Sequence, residues 1–544
     1  MVKRSPRRPN HSKPARQAAS ERGNSTDERR RTVAEKKSSV SRDAATVGNS
    51  PGVLIRTLRS VRQIDPASRI SVLMGFALGL ATIAMVVRLG PASSPDYLPP
   101  RAVLAGAIFA VAVGLAAPRG MAAWIYDMAW QRFARRARDG GLAASFFDRS
   151  DADRSLYWAV LSVISLVAGV LTALLPGFAG AVLSCYTFLR EHFLWAPPVL
   201  SLLHLLVAFV ICLLAFSAIG MAAGCVHHLG SRTPHWDPRI TGWFIIGIGA
   251  GIATGVWFVP ASGGPNAVLA AAALPLLAVS LLSVASGRPS DGHADCDRCD
   301  ETAALPTRSD RWPAALHACT VTVGLCGLSA IAVWKDLLGM TTGGASLFVS
   351  LMLPATGLGF LLGCRPWSIL PNGIGNYGVI CAAAGAATAV GMFACAGRWW
   401  PGHLLPAIMT ADVSMAAIGF ALGLGHRVLL SSVADRSSAA VIVLSRIMVL
   451  GAMLLWLGIP FAIHILGKTA SLAGVALTLL ALGGSLVIHE PSYSPLTRRI
   501  RLLGIFGVVG VMILLAPTIS PTTAPSHPDT PIISTSKGDA PKDR

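Results

Sequence analysis

The sequence predicts an all-α, polytopic membrane protein with about 12 to 13 transmembrane helices in two bundles and a disordered basic N-terminal tail. Three observations support this fold class. Hydrophobic residues make up 53% of the chain and charged residues only 13%, against roughly a quarter charged in soluble domains. The mean hydropathy is +0.58. The 46 Lys and Arg outnumber the 27 Asp and Glu. This composition excludes a soluble enzyme, a coiled coil, a disulfide scaffold and a mainly disordered chain.

Residues 1–69 form a basic segment that we expect to be disordered. They contain 17 Lys and Arg but six Asp and Glu, and almost no aromatic residue, so they cannot bury enough surface to fold alone. We expect this tail to be cytoplasmic and to contact anionic lipid headgroups, where each basic residue contributes roughly 1 kcal/mol. Nucleic acid is not an expected partner, because the aromatic residues that stack on bases are missing. The first apolar run begins near Ser71, too late for a cleaved secretory signal.

Thirteen apolar stretches are candidates to cross about 30 Å of hydrocarbon. Six precede a polar segment: 71–87, 102–117, 156–175, 199–222, 240–259 and 267–285. Seven follow it: 314–334, 345–362, 373–397, 404–424, 447–466, 471–489 and 502–516. The chain therefore divides into a tail at 1–69, a first transmembrane bundle at 70–285, a cytoplasmic linker loop at 286–312, a second bundle at 313–517 and a disordered C-terminal tail at 518–544.

The distribution of basic residues fixes the predicted orientation. Lys and Arg in short loops stay on the cytoplasmic side of the membrane. With the N-terminus inside, the predicted inner loops carry 20 Lys and Arg and the predicted outer loops carry six. We therefore expect a multipass protein of the cell inner membrane with a cytoplasmic N-terminus. The weakest point is Pro176 to Leu189, an apolar piece after a Pro-Gly break that is too short to span.

The predicted inner loop at 118–155 contains an amphipathic stretch. Trp124, Ile125, Met128 and Phe133 share one helical face, and four arginines follow close by. This pattern favours an interfacial helix on the inner leaflet, with a solvated loop helix as the alternative.

Asp412 is the first candidate for an ion-coupling or substrate-contacting residue. It lies six residues after Pro406, well inside the tenth span. An ionisable group within a span is costly and indicates function by default. A structural hydrogen bond to a neighbouring helix and a misplaced span boundary are the alternatives.

His204, His464 and Asn376 are further candidates. The two histidines lie in apolar runs, where a satisfied bond between helices is more common than a proton carrier. Asn376-Tyr377 and the proline at Pro354-Ala-Thr356 would loosen helices around a substrate, because unwound backbone at membrane depth is tolerated around cavities. Glycines are dense in 242–255 and 373–397, which allows close helix contact in either moving or static interfaces.

Two apparent motifs carry little weight. The segment 462–469 matches a relaxed P-loop pattern, but a membrane helix ends there at the outer face instead of a strand. His293, Cys296 and Cys299 have the spacing of half a zinc site without a second pair nearby, and a solvated acidic loop is the alternative. The remaining cysteines are scattered through apolar runs and behave as small buried residues. The sequence thus predicts no cofactor, no metal and no enzyme activity.

The succession of six helices, a long cytoplasmic loop and further helices resembles the two-bundle plan of the major facilitator superfamily over residues 70–490. The Ala434-Asp435-Arg436 segment has the Asp-Arg pair of that family's signature but lacks its Gly and basic residues. A second likeness, in 353–359 and 375–385, is to the membrane portion of bacterial spermidine-synthase-like proteins. The soluble catalytic domain of that family has no counterpart here, so the likeness implies no aminopropyl transfer.

The sequence therefore predicts a secondary transporter of a small solute that works by rocking two bundles around a site near the membrane midplane. The alternative is a membrane scaffold or assembly subunit that transports nothing. For the transporter, Asp412 should border a cavity between the halves, and for the scaffold no cavity should exist.

Overall fold

The computed structural model describes residues 66–90, 98–117, 149–192, 196–232, 239–261, 264–286, 312–338, 342–365, 373–396, 404–433 and 436–515. The predictions for the N-terminal tail, for the amphipathic stretch before Arg149, for His293 to Cys299 and for the tail from Thr518 lie outside these residues. Inner and outer below refer to the orientation predicted from the basic residues.

The described regions contain thirteen helical rods and no strand. They are α1 (Pro66–Leu89), α2 (Pro100–Ala116), α3 (Arg149–His192), α4 (Pro197–Arg232), α5 (Ile240–Ala261), α6 (Pro265–Ser286), α7 (Trp312–Leu337), α8 (Thr342–Cys364), α9 (Ile374–Ala396), α10 (Leu404–Ser432), α11, α12 (Lys468–Ile488) and α13 (Pro495–Leu515). The rod α11 comprises Arg436–Met453, a π-helical turn at Leu454–Gly458 and Ile459–Leu466, without a break.

Each of the thirteen predicted spans falls on one of these helices. Eleven are long and apolar enough to cross a membrane. The helix α2 is shorter, at 17 residues, or about 26 Å at 1.5 Å per residue. Three arginines, Arg498, Arg499 and Arg501, lie in the first two turns of α13. The prediction of a polytopic helical membrane protein is confirmed.

The predicted break at Pro176 is wrong. Pro176 lies inside α3, which continues to His192 as one helix of 44 residues. Proline removes one backbone hydrogen bond, but a membrane helix tolerates this loss when neighbouring groups compensate. Pro176 leaves the Thr172 carbonyl without its helical donor, while Arg88 of α1 donates to the carbonyl oxygen of Pro176 itself at 2.9 Å and ties α1 to α3 at this position. The segment after Pro176 extends the third span, so it adds no crossing and the predicted orientation of later loops is unaffected.

Two hydrophobic cores organise these helices. One is built from residues of α1–α6, and the other from residues of α7–α13. Within the first group α2 packs on α4, α3 on α6 and α1 on α5. The same pairings recur six helices later, as α8 on α10, α9 on α12 and α7 on α11. The two groups, which we call the first and second halves, thus repeat one arrangement, with α13 added against α9 and α12.

The glycine-rich stretches pack helices within each half. Gly247 and Gly251 of α5 face Gly75 and Gly79 of α1, and a Cβ at any of the four would overlap a backbone carbonyl oxygen of the other helix. In α9, Gly378 and Gly385 face α12 in the same way. Small residues at this spacing let backbones approach closely. These contacts are therefore static packing within a half.

The halves meet mainly along two seams, α5 against α8 and α2 against α11. At the first seam the Pro354 ring fits against Gly249, where a Cβ would overlap it. Both Pro354 and Asn376 lie within continuous helix, so the prediction of unwound backbone at these positions is wrong. In α8 the proline occupies a space that a glycine of α5 provides, and no unwinding is needed to accommodate it.

Candidate functional site

A cavity of about 300 Å³ lies between the two halves. Its wall is formed by α1, α2 and α5 of the first half and by α7, α8, α10 and α11 of the second. The volume falls at the lower end of ligand pockets, which span about 300–1,000 Å³. Because both halves line this cavity, a movement of one half relative to the other would change its shape. We therefore take it as the candidate site.

Three charged residues border the outer end of the cavity. Arg101 lies in the first turn of α2, and Lys335 and Asp336 lie in the last turn of α7. Arg101 Nη2 donates to Asp336 Oδ2 at 3.2 Å, and Lys335 Nζ lies 3.8 Å from Asp336 Oδ1. The Arg101 side chain is 49% exposed and that of Asp336 is 19% exposed. The pair joins the halves, yet an exposed ion pair contributes only about 0–1 kcal/mol, so it can open at little cost.

The middle of the cavity is aliphatic. Its wall here includes Leu104, Ile108, Ile245, Ile248, Leu328 and Ile331. Three threonines also line the cavity, and the hydroxyls of two of them donate to a carbonyl of their own helix: Thr82 to Leu78 at 2.7 Å and Thr356 to Met352 at 2.8 Å. These hydroxyls therefore present little free hydrogen-bonding capacity to a solute.

A buried histidine marks the inner end. His426 of α10 lines the cavity and packs on Phe360 of α8, with ring centroids 5.6 Å apart. His227 of α4, in the other half, interacts electrostatically with His426. Both side chains are 4% exposed. The outer end of the cavity thus has an ion pair between the halves, and near its inner end each half supplies one buried histidine.

The two histidines occupy corresponding positions of an internal repeat. Residues 218–228 read AIGMAAGCVHH and residues 417–427 read AIGFALGLGHR. Both contain the pattern Ala-Ile-Gly-x-Ala-x-Gly-x-x-His followed by His or Arg. The sequence reasoning missed this repeat, which was the one available signal for His227 and His426.

The helix packing has the same register as the repeat. A Cβ at Gly114 of α2 would overlap the Ser217 carbonyl oxygen of α4, and a Cβ at Gly359 of α8 would overlap the Ala416 carbonyl oxygen of α10. Ser217 and Ala416 directly precede the repeated segments. The repeat therefore describes a pair of packed helices in each half and not a chance match of small residues.

Asp412 lies in α10 one turn before Met415, which lines the cavity, but Asp412 is not part of the cavity wall. Its side chain is half-buried, and its Oδ1 is shielded from solvent with no hydrogen-bond partner among the described residues. Asp412 thus lies inside a helix that is long and apolar enough to cross a membrane, but it does not border the cavity as the transporter prediction expected. Its coupling role stays a prediction.

The two predicted histidines lie away from the cavity. His204 Nε2 lies 2.7 Å from the Tyr186 hydroxyl, which links α4 to α3 within the first half. His464 lies near the outer end of α11 and is exposed. Neither borders the space between the halves.

Asn376 belongs to a polar cluster at the inner end of α9. Its Oδ1 accepts hydrogen bonds from the Tyr493 hydroxyl at 2.9 Å and from Arg501 Nη1 at 3.1 Å. Burial raises the pKa of Tyr493 above its ordinary value of 10.0, so the phenol stays protonated and donates. Beside it, the buried Glu490 accepts from the Gly375 backbone N–H at 2.7 Å. The cluster fastens α13 and the loop before it to α9.

Within the described regions no three His, Cys, Asp or Glu side chains group as metal ligands. The eight cysteines there are free thiols.

Comparisons with known proteins give only distant likenesses. No family model matches the sequence, and no curated protein matches it. Among solved structures, a mutant crystal structure of the nucleoside transporter NupG has a TM-score of 0.43 and 13% identity, covering 78% of this chain and 99% of that one. The crystal structure of a D-xylose-proton symporter has a TM-score of 0.42 and 14% identity, covering 76% of this chain and 96% of that one. At this level of similarity the functions in these names are statements about those two proteins and not about this chain. The likeness to spermidine-synthase-like proteins stays a prediction.

Proposed function

We propose that this protein is a secondary transporter of a small solute, in which the two halves rock about the cavity between them. The observation that carries the proposal is a cavity lined by two repeated six-helix units, with an ion pair between the units at its outer end. Alternating access by rocking of repeats requires this arrangement. A scaffold has no need of an internal space that both units line.

Opening of the outer end separates Arg101 from Asp336. Each group then remains at the end of its helix, where water solvates it, so the separation costs little. Opening of the inner end separates α4 from α10 at His227 and His426. The seams α5–α8 and α2–α11 lie beside the cavity, and in this proposal they are the surfaces on which the halves turn.

Cross-linking tests the rocking without knowledge of the solute. Cysteines replace Arg101 and Asp336 in a background in which Cys185, Cys296 and Cys299 are serine, and a protease site is inserted after Ser290. A short bis-maleimide should join the outer ends, so that the cleaved halves remain together on a denaturing gel. The same background without the added pair is the control, since its remaining described cysteines are buried or half-buried.

The decisive readout is at the inner end. In the cross-linked protein, labelling of His426→Cys by a water-soluble maleimide should become several-fold faster, because closing one end opens the other. Labelling of Thr388→Cys, which is buried inside the second half, should not change. An inner end that labels at the same rate with and without the outer link favours the scaffold.

The coupling role of Asp412 forms part of the proposal. We expect Asp412→Asn to abolish a pH-dependent stabilisation by ligand in a thermal-shift screen of metabolites and ions at two pH values. A ligand at a hundred times its Kd stabilises by roughly 2.7 kcal/mol, which a melting curve registers. Glu191→Gln, which removes an exposed acid at the end of α3, serves as the control. A variant that melts differently but responds to every ligand like the wild type assigns Asp412 a structural role.

The same proposal places the protein in the cell inner membrane with the N-terminus inside and the basic tail on anionic lipid. Alkaline phosphatase fused after Arg544 should be active, because the orientation puts that end outside. An inactive fusion with normal protein levels would reverse the orientation.

A further inference from the structure

The charges at the outer end of the cavity are unbalanced. Arg101 and Lys335 supply two positive charges and Asp336 supplies one negative charge. Arginine carries five N–H donors in a planar fork. Among the described residues only Asp336 accepts from Arg101, through Nη2. The half-exposed guanidinium therefore retains donors for a second anionic group.

The rest of the wall suits an apolar body. The middle of the cavity is lined by aliphatic side chains such as Leu104, Ile108 and Ile248. The Thr82 and Thr356 hydroxyls already donate to backbone carbonyls of their own helices. A polyhydroxylated solute would leave its hydroxyls without partners in this region, and burying an unpaired polar group is unfavourable. An alkyl chain would instead replace water against apolar carbon.

We infer that the cavity binds an amphipathic anion, with its acidic group at Arg101 and Lys335 and its aliphatic body between the halves. This inference rests on the proposed function for its physiological meaning, but the binding it describes stands by itself.

The arrangement also links binding to opening. The anionic group of the ligand competes with the Asp336 carboxylate for Arg101. The remaining donors of Arg101 let it hold both anions, but the ligand's negative charge repels the Asp336 carboxylate. Because the Arg101–Asp336 pair joins the halves, ligand binding then weakens the contact at the outer end.

Three probes of equal chain length and different charge test the inference: octanoate, octanol and octylammonium. Binding is measured by calorimetry on the full chain in nanodiscs of phosphatidylcholine. We expect octanoate to bind saturably, with a Kd about tenfold or more below that of the other two, the difference that a charge-assisted hydrogen bond gives.

Variants locate the site. Arg101→Gln and Lys335→Gln should each raise the octanoate Kd by about tenfold. Asp336→Asn should lower it several-fold, because the competing carboxylate is removed. Lys468→Gln removes an exposed cation at the start of α12, on the same predicted face, and should leave the Kd unchanged. Tighter binding of octylammonium, or equal octanoate affinity in all four variants, overturns the inference.

A second set of nanodiscs containing phosphatidylglycerol separates two sources of the anion. Weaker apparent octanoate binding in these discs shows that a membrane lipid competes for the site, whereas an unchanged Kd assigns the site to a soluble amphiphile.

The inference and the proposed function fail separately. If octanoate binds but labelling of the inner end does not respond to the outer cross-link, the transporter proposal is rejected and the inference of an amphipathic anion is retained. If labelling of the inner end does respond but octanoate does not bind, only the inference of an amphipathic anion is rejected.

Discussion

Gly359 and Gly484 both lie inside helices, but only Gly359 has a neighbouring helix directly against it. A Cβ at Gly359 would overlap the Ala416 carbonyl oxygen, whereas a Cβ at Gly484 would meet no atom within 4 Å. We expect Gly359→Ala to lower the Tm of the detergent-purified protein, because α8 and α10 must separate. Gly484→Ala should be neutral or should stabilise by up to about 1 kcal/mol through helix propensity. Equal effects of the two substitutions would contradict the close packing of α8 on α10.

At the same scale, the candidate site was largely beyond prediction from the sequence. The search for ionisable groups inside spans identified Asp412, His204 and His464, but burial at membrane depth does not say which side of a helix faces a cavity. The charged cavity residues Arg101 and Asp336 lie at helix ends, where the sequence alone assigns them to loops. Only the spatial meeting of α2 with α7 gives them a shared position.

The π-helical turn of α11 is the clearest irregularity among the described helices. Pro460 lacks a backbone N–H, and the Ile459 N–H donates to the Leu454 carbonyl five residues earlier. Leu455, Ile459 and Pro460 all line the cavity. Such turns are frequent at functional sites. The turn thus shifts the phase of α11 within the cavity wall.

Pro460→Ala should therefore restore regular α-helix in α11. We expect slower amide hydrogen exchange in a peptide covering 454–466 and, because Leu455 and Ile459 rotate, weaker octanoate binding. Pro275→Ala in α6, another proline inside a helix but outside the cavity wall, should leave the binding unchanged. Faster exchange in Pro460→Ala would show that the π turn has another cause.

At the level of helices the sequence was a good guide, because a span must carry its apolar residues consecutively. Its two errors, at Pro176 and Pro354, have one cause. Proline readily ends helices in water, but within a membrane protein contacts from neighbouring helices accommodate it. Neither Arg88 nor Gly249, which supply those contacts, is adjacent in the sequence.

For the whole molecule, the two separate cores predict that the halves fold as units. Fragments 1–290 and 291–544, when co-expressed, should copurify and bind octanoate like the intact chain. Cleavage after Ala434 instead separates α10 from α11 and divides the second core, so those fragments should not reassemble. Recovery of both fragment pairs, or of neither, would contradict the division into two folding units at 286–312.

The internal repeat also bears on the ancestry of the chain. Gly114 and Ser217, which touch in the first half, are 103 residues apart, whereas Gly359 and Ala416, which touch in the second, are 57 residues apart. Duplication of a six-helix unit would begin with equal spacing, so a difference of 46 residues arose afterwards. It lies between α2 and α4, which includes 118–148 and the longer α3. The two halves thus differ in the length of one connection, while the glycine contacts and the histidine beyond them keep the same register in both.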